Sequence, residues 1–342
     1  MSPVFEPGAR LAVLSQSGCT LNLFDLATQT RTAQLDVLPQ GHELCFDPRT
    51  RLLYASHTYR AGTWLAHEGE SHEITVIDVD AQQIVDVIDV APEHAPHGLH
   101  IDGEVLYASV ETGPAGPGAL LAIDLNTRRT LRRISADAWV PHWAVATPDG
   151  KKAYTTNKTA PFVSVLDPAG VAPTRRIPVQ GSEGLALSPD GSRLFVATPA
   201  LTQHPETPRA VAVIDVGTDT VVHTIPTMAA PSAVHVADTG TLLVGQWRFE
   251  QQRGGFRATG GVLSSYDADT YALLGHTEVG AAPLNICATP DGATGFVSNL
   301  QSGTVSVVDL AQRTVVATLA VDPSVDGPNQ GAHGLAYLPP AN

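Results

Sequence analysis

Short apolar runs separated by turn residues extend along the whole chain. Stretches rich in Val, Ile, Leu, Thr and Ala recur, and turn sequences such as "TPDG", "SPDG" and "ADTG" stand between them. Apolar runs bounded by Gly, Pro and Asp are typical of β-strands joined by tight turns. Apolar positions at helical spacing are nearly absent. The pattern therefore predicts an all-β protein.

A unit of four predicted strands repeats along this pattern. It begins with a strand preceded by Pro or Gly, turns at P-D-G, continues through segments such as "KKAYTTN", and returns through "VSVLDP" or "VSVVDL" to a fourth strand such as "RTVVATLAV". Equivalent first-strand positions follow one another at intervals of 41 to 55 residues. Four short strands in such an interval are the signature of a propeller blade. The seven equivalent positions, termed here the channel positions, are His42, His97, His142, Glu183, Ser232, Leu284 and His333.

Seven channel positions predict a seven-bladed β-propeller that occupies residues 1–342 as a single domain. The last unit, "GAHGLAYLPPAN", supplies one strand, whereas the N-terminal segment supplies three strands and lacks a first one. We therefore expect the N-terminal strands and the C-terminal strand to complete one blade together. This pairing would close the ring and remove exposed sheet edges.

Composition narrows the classes of function. The chain has 342 residues, of which 43% are hydrophobic and 16% charged, and a formal net charge of −14. Such a charge disfavours nucleic-acid partners, since phosphate backbones would be repelled. Three widely spaced cysteines, no basic leader followed by an apolar core and no run of membrane-spanning length together predict a cytoplasmic protein without a membrane partner.

The repeated segments resemble those of a known propeller family. The motifs "PDG...YTTN...VSVLD" and "PDG...GFVSN...TVSVVDL...RTVVATL" are similar to those of YVTN-type seven-bladed propellers, the group that includes YncE-like and lactonase-like proteins. The similarity covers essentially the whole chain. It implies the propeller fold, but the group contains several chemistries as well as proteins without known activity, so it does not select one function.

Four of the seven channel positions are histidines, and they are adjacent on the predicted ring. First strands line the channel of a propeller, so His333, His42, His97 and His142 are expected to meet at one mouth, with Glu183 next in order. We interpret this set as a metal site. A hydrogen-bonded polar plug and a metal-free acid/base site are the alternatives.

The ligand type narrows the metal. Imidazole suits Fe, Cu, Zn and Ni, whereas calcium is held by oxygen ligands. Four nitrogen donors resemble the iron site of carotenoid-cleavage oxygenases, which favours Fe or Cu, with Zn as a further possibility. Glu183 is the candidate catalytic residue: it would either bind the ion as a fifth ligand or orient a ligating histidine.

The loops between second and third strands lie on the same face as the channel positions and are long in blades 1, 4 and 5. Long loops over a channel mouth are where propellers build pockets. Arginines in these loops would favour an anionic substrate such as a carboxylate. The predicted substrate-binding residues are Tyr59, Arg60, Trp64, Trp143, Trp247, Arg248, Arg253 and Arg257.

Three functions are consistent with these features. The first is a transition-metal enzyme that acts on a small organic substrate by redox or oxygen chemistry, and the loop arginines would favour an anionic substrate. The second is a lactonase-like hydrolase or lyase that uses a divalent metal as Lewis acid or to activate water. The third is a non-enzymatic binding scaffold.

Overall fold

A computed structural model describes residues 5–63, 66–200, 208–252, 255–322 and 331–341. In these residues the chain forms strands and no helix, so the described part holds no helix able to span a membrane. In chain order the strands are β1 (Arg10–Ser15), β2 (Thr20–Asp25), β3 (Thr30–Asp36), β4 (Gly41–Asp47), β5 (Leu52–His57), β6 (Gly62–Thr63), β7 (Ala66–His67), β8 (Glu73–Asp78), β9 (Gln83–Asp89), β10 (His94–Asp102), β11 (Val105–Gly113), β12 (Gly116–Asp124), β13 (Thr130–Ser135), β14 (Pro141–Ala146), β15 (Ala153–Asn157), β16 (Phe162–Leu166), β17 (Arg175–Pro178), β18 (Leu185–Leu187), β19 (Arg193–Thr198), β20 (Ala210–Asp215), β21 (Thr220–Pro226), β22 (Ala230–Val236), β23 (Thr241–Gln252), β24 (Gly255–Asp267), β25 (Leu273–Val279), β26 (Pro283–Ala288), β27 (Thr294–Asn299), β28 (Thr304–Asp309), β29 (Thr314–Ala320) and β30 (Leu335–Leu338).

The described strands form seven four-stranded antiparallel sheets, and the predicted seven-bladed β-propeller is confirmed. Blades 1 to 6 have the strand orders β4-β5-β8-β9, β10-β11-β12-β13, β14-β15-β16-β17, β18-β19-β20-β21, β22-β23-β24-β25 and β26-β27-β28-β29. In each of them the first strand lies at one end of the sheet and the later strands follow in sequence. The short strands β6 and β7 pair separately within the long loop of blade 1.

The seventh sheet combines the two ends of the described chain, in the order β3-β2-β1-β30. Strand β30 pairs antiparallel with β1, with Leu11 opposite Tyr337. Two further backbone hydrogen bonds extend this pairing, because His333 N–H donates to the Leu14 carbonyl at 2.9 Å and Leu14 N–H donates to the Gly334 carbonyl at 3.0 Å. These bonds fix the backbone at His333.

The repeated P-D-G turns share one hydrogen-bond arrangement. In the turn after β14, the Thr147 hydroxyl donates to Asp149 Oδ1 at 2.7 Å, and the same oxygen accepts the Lys151 N–H at 3.1 Å. Gly150 has φ +66°, a left-handed conformation that glycine adopts without steric cost. The turns at Asp190 and Asp291 repeat these bonds. The turn sequence therefore ends each first strand at the same point.

The core lies between neighbouring blades. Tyr54 and Val76 of blade 1, for example, pack with Leu106 and Leu121 of blade 2, and all four are buried. Because each sheet is covered on both faces by the next blades, most middle-strand residues are apolar. The first strands are then held side by side around a channel.

The backbone at the start of the first strands differs from regular strand geometry. A left-handed residue lies two positions before the channel position in blades 1, 2, 3, 4 and 6. The strand register shifts beside the channel position in blades 1, 2, 3, 5 and 6, that is, in β4, β10, β14, β22 and β26. The left-handed residues are Gln40, Ala95, Val140, Gly181 and Ala282. Such bulges redirect a side chain away from the alternating strand pattern. The sequence thus turns the channel-position side chains toward a common point.

Candidate functional site: a histidine cluster at the channel mouth

Four channel-position histidines, His42, His97, His142 and His333, form one buried group, termed here the histidine cluster. The ring centre of His42 lies 4.7 Å from that of His97 and 4.6 Å from that of His333. The His97 and His142 ring centres are 3.9 Å apart, and those of His97 and His333 are 6.4 Å apart. Each of the four is at most 5% exposed. The structure therefore brings together the four histidines that the repeat register selected.

Burial keeps the cluster histidines neutral. It lowers the pKa of His42 to about 3 and that of His142 to about 4, and it lowers the pKa values of His97 and His333 well below the ordinary value. The positive charge of Lys158 acts in the same direction on all four. Neutral imidazole carries the nitrogen lone pair that binds a metal ion or accepts a hydrogen bond. At neutral pH the cluster thus offers several uncharged nitrogen donors.

Glu183 lies against one end of the cluster. Its Oε2 is 3.0 Å from His142 Nδ1, and its Oε1 is 3.7 Å from Lys158 Nζ. Burial acts to raise the pKa of Glu183, but the charge of Lys158 and the contact with His142 oppose it and lower the pKa to about 2. The carboxylate is therefore ionised and in position to orient the His142 ring.

A second carboxyl group, Glu43, lies on the opposite side of the cluster. Its Oε2 accepts a hydrogen bond from Asn285 Nδ2 at 2.6 Å, and its Oε1 is 3.6 Å from His333 Nδ1. Burial raises the pKa of Glu43 to about 8. Since Asn285 belongs to blade 6 and Glu43 to blade 1, this pair joins blades on either side of His333.

Tyr59 reaches the cluster from the long loop of blade 1. Its ring lies edge-on to His42, with ring centres 5.6 Å apart, and stacks on His67 at 4.3 Å. Its hydroxyl donates to the two carboxylate oxygens of Glu111, at 3.0 and 3.1 Å. Burial raises the pKa of Glu111 to about 7. Tyr59 is 1% exposed, so it closes over the histidines as part of the site wall.

Several buried polar atoms of this region have no hydrogen-bond partner. They include the Nδ1 atoms of His97, His142 and His333, together with Glu43 Oε1, so the 3.0 Å approach of Glu183 to His142 Nδ1 is an electrostatic contact and not an aligned hydrogen bond. No group of three or more His, Cys, Asp or Glu side chains in the described part of the chain already has the arrangement of a metal site. The cluster therefore has the donor types of a metal site, with donor atoms that are still available, but not a formed coordination shell.

The predicted loop residues lie in different surroundings. Arg60 pairs with Glu73 at 2.7 Å, and Arg248 forms a bidentate pair with Glu278, so both guanidinium groups face carboxylates of their own blade. Arg257 is exposed on β24. Trp64 and Arg253 lie outside the described residues. The stretch around Arg248 is a long hairpin rather than an irregular loop, because β23 and β24 pair from Thr241 to Gln252.

The two other predicted tryptophans lie at the edges of the site. The Trp247 indole N–H donates to the Pro283 carbonyl at 2.7 Å, which holds it against the start of β26. The Trp143 ring centre is 6.5 Å from that of His142. Trp143 also lines a cavity of about 370 Å³ within the channel. Of the predicted substrate residues that the structure describes, Tyr59 and Trp143 are therefore the ones in ring contact with a cluster histidine.

Four residues of the site were not predicted, and the repeat contains a signal for each. Glu43 and Asn285 directly follow their channel positions, where three other blades have Gly98, Gly184 and Gly334. Glu111 and Lys158 also occupy equivalent places, one residue past Val110 and Asn157, which pair with Pro96 and Pro141. The signal is a charged or amide side chain at a position where several other blades have glycine or an apolar residue. A comparison of equivalent positions between blades would have identified these four residues.

Comparisons with known proteins find similarity in the fold. No protein-family model and no curated protein matches the chain. Among solved structures, the chain is similar to a functionally unknown protein from Desulfotomaculum acetoxidans, with a TM-score of 0.73, 12% identity and coverage of 97% of this chain and 99% of that one. It is also similar to hydrazine synthase from Kuenenia stuttgartiensis, with a TM-score of 0.67, 15% identity and coverage of 89% and 96%.

A third similar structure is the dihydro-heme d1 dehydrogenase NirN in complex with DHE, with a TM-score of 0.61, 16% identity and coverage of 94% of this chain and 66% of that chain. At these identities the likeness supports the propeller architecture. Membership of the YVTN-type group therefore stays a prediction from the sequence motifs.

Proposed function

We propose that this protein is a metal-dependent enzyme in which the histidine cluster holds a transition-metal ion and a small organic molecule is the substrate. The observation that carries the proposal is the set of unpaired buried donors, namely His97 Nδ1, His333 Nδ1 and Glu43 Oε1, within one group of neutral imidazoles. Leaving such an atom buried and unpaired costs on the order of 1–3 kcal/mol, so a bound ion that engages them is favoured.

Ring spacing supports the same proposal. With metal–nitrogen bonds of about 2.0–2.1 Å, two imidazoles on one ion have ring centres roughly 4.5–5 Å apart. The separations of His42 from His97 and from His333, 4.7 and 4.6 Å, fall in this range, whereas the His97–His142 separation of 3.9 Å lies below it. The rings would have to turn within the cluster to direct their nitrogens to a common point.

Carboxyl groups next to the cluster would also favour a cation. Glu183 is ionised and paired with Lys158, and burial raises the pKa values of Glu43 and Glu111 to about 8 and about 7, so each would release its remaining proton to solvent when it binds an ion. Nitrogen donors with few oxygen ligands favour Fe or Cu, with Zn as the hydrolytic alternative. A bound Fe or Cu ion would supply redox chemistry. The enzyme function is compatible with the fold, since hydrazine synthase and a dihydro-heme d1 dehydrogenase are similar in structure.

The protein residues have separable roles in this proposal. Glu183 holds the His142 ring in orientation, because its carboxylate lies 3.0 Å from Nδ1. Tyr59 donates its hydroxyl proton to Glu111 and packs edge-on against His42, so this pair covers the cluster on the long-loop side and limits access of water from there. The proposal retains the sequence-based expectations of a cytoplasmic location, a small-molecule partner and no nucleic-acid partner.

Metal titration tests the proposal. Purified protein is equilibrated separately with Fe²⁺, Cu²⁺ and Zn²⁺, and bound metal per chain is measured by elemental analysis. The expected result is one ion per chain for the wild type and at least tenfold less for His97→Ala. His235→Ala is the matched control, since His235 lies outside the cluster, and it should bind metal normally.

The outcomes separate the candidate functions. Preferential retention of Fe or Cu supports the redox enzyme. Retention of Zn alone would favour a hydrolase or lyase over the redox enzyme. The absence of bound metal in the wild type would contradict both enzymes and favour the binding scaffold. Equal loss in His97→Ala and His235→Ala would contradict assignment of the ion to the cluster.

A further inference from the structure

A cavity of about 370 Å³ lies in the central channel beyond the histidine cluster. Its lining comes from the first strands of five blades, β10, β14, β18, β22 and β26. It begins one residue past the channel positions, at Trp143 and Asn285, and continues to Leu187 and Val236, close to the P-D-G side of the propeller. The cavity therefore lies between the cluster and the face opposite the long loops.

The lining of this cavity carries no formal charge. Among the described residues that line it, none is Asp, Glu, Lys or Arg, and most are Ala, Val, Leu or Ile. Its two histidines, His100 and His235, are kept neutral because burial lowers their pKa values. A charged ligand would lose its hydration there without an opposite charge in return. The lining is complementary to an uncharged, largely apolar molecule with one or two hydrogen-bonding groups.

Two residues that line the cavity also contact the cluster or its neighbours. Trp143 follows His142 directly and contacts its ring, and Asn285 donates to Glu43, which lies beside His333. The cluster histidines are at most 5% exposed, whereas Val145, which follows His142 on β14, and Ala186 and Val234 on the neighbouring first strands are partly exposed. The described residues thus become more accessible with distance from the cluster.

We infer that the channel cavity is the substrate site, and that it binds an uncharged, mainly apolar organic molecule from the face opposite the long loops. This inference rests on the proposed function, for which it names the substrate class. The volume is within the range of roughly 300–1,000 Å³ in which proteins bury small organic ligands. The inference replaces the anionic substrate expected from the loop arginines, since Arg60 and Arg248 are paired with carboxylates.

Binding of two matched probes tests the inference. The probes are 2-naphthol, which is uncharged at neutral pH, and 2-naphthoate, which has the same ring system and a negative charge. Equilibrium dialysis with wild-type protein should show 2-naphthol bound at least tenfold more tightly than 2-naphthoate. Ala186→Phe and Val145→Phe, which fill the cavity from two different strands, should each weaken 2-naphthol binding at least tenfold.

Ala81→Phe provides the control, because Ala81 is exposed in the turn between β8 and β9 and should leave binding unchanged. Equal affinity for both probes, or undiminished 2-naphthol binding in two folded cavity variants, would overturn the inference. The measurements are made with and without added metal. Selective 2-naphthol binding in a protein that takes up no metal would refute the proposed enzyme and support the cavity, whereas metal uptake without probe binding would refute the cavity alone.

Discussion

Where the first strands begin, the channel is occupied by four imidazoles that are each at most 5% exposed, and further along the channel lies an uncharged cavity of about 370 Å³. Strands β10 and β14 contribute to both ends, whereas β4 and the segment before β30 carry cluster histidines and β18, β22 and β26 line the cavity. At the cluster end, left-handed residues and register shifts turn the side chains inward, and the neighbours are Glu43, Glu183 and Lys158. At the cavity end, regular strand geometry returns and most side chains are apolar.

This difference shows how one channel can separate two kinds of binding. Donor nitrogens and carboxylates are confined to the end where a cation would be held, and the uncharged lining is confined to the end that would hold an organic molecule. Placing ionised groups along the cavity would require their desolvation without partners. The ordered change from polar to apolar along the channel therefore has a physical basis.

The largest effect should come from forcing apart the strands at the cluster end. A Cβ on Gly98 would lie 2.5 Å from the His142 carbonyl oxygen and 2.8 Å from the Trp143 Cα, both backbone atoms of the next blade. Because neither atom can move without the strand, we expect Gly98→Ala to lower the free energy of unfolding by roughly 3–5 kcal/mol. Urea denaturation measures the change.

Gly260→Ala is the control for this substitution, since a Cβ there meets nothing within 4 Å. It should change the free energy of unfolding by less than about 1 kcal/mol. If the two substitutions have equal effects, close approach of the first strands is not what holds the cluster together.

A smaller effect is expected from Glu183, within the cluster end. If its carboxylate orients His142 instead of binding the ion, Glu183→Gln should raise the Kd for metal about 10–100-fold, while saturation still reaches the wild-type stoichiometry. Competition with a chelator of known affinity measures both quantities. Glu278→Gln, on the exposed Arg248 pair, should bind like the wild type. A lower stoichiometry at saturation would instead make Glu183 a ligand.

The contrast also explains which parts of the site the sequence predicted. The seven channel positions follow from turn sequences that repeat within each blade, so the blade number and the four histidines could be found by aligning local motifs. The Glu43–Asn285 bond joins residues 242 positions apart in blades 1 and 6. That contact depends on the curvature of the ring, which no local motif contains.

The loop residues illustrate the same limit. The length of its segment predicts that Arg248 lies in a loop over a pocket. In the structure, β23 and β24 continue as a hairpin and bring Arg248 to Glu278 on β25. Strand register decides that pairing. The cavity was missed for a related reason, because His100 and His235 lie outside the channel positions and become neighbours of one space only when five first strands are assembled.

The smallest effect should appear at the cavity end, as a dependence of stability on pH. Burial lowers the pKa of His235 from its ordinary 6.5 to about 4, with Asp238 opposing the shift. The unfolded chain therefore takes up this proton first, so the contribution of neutral His235 to stability is complete above pH 6.5 and is lost as the pH falls toward 4. Between pH 7.5 and pH 5 the loss is at most about 2 kcal/mol.

We expect His235→Gln to remove that part of the acid sensitivity in urea denaturation at the two pH values, whereas His223→Gln, on the exposed face of β21, should retain it. An unchanged difference between pH 7.5 and pH 5 in His235→Gln would mean that His235 takes up its proton equally in the folded and unfolded chains, and the cavity end would then not be the low-polarity region that its lining indicates.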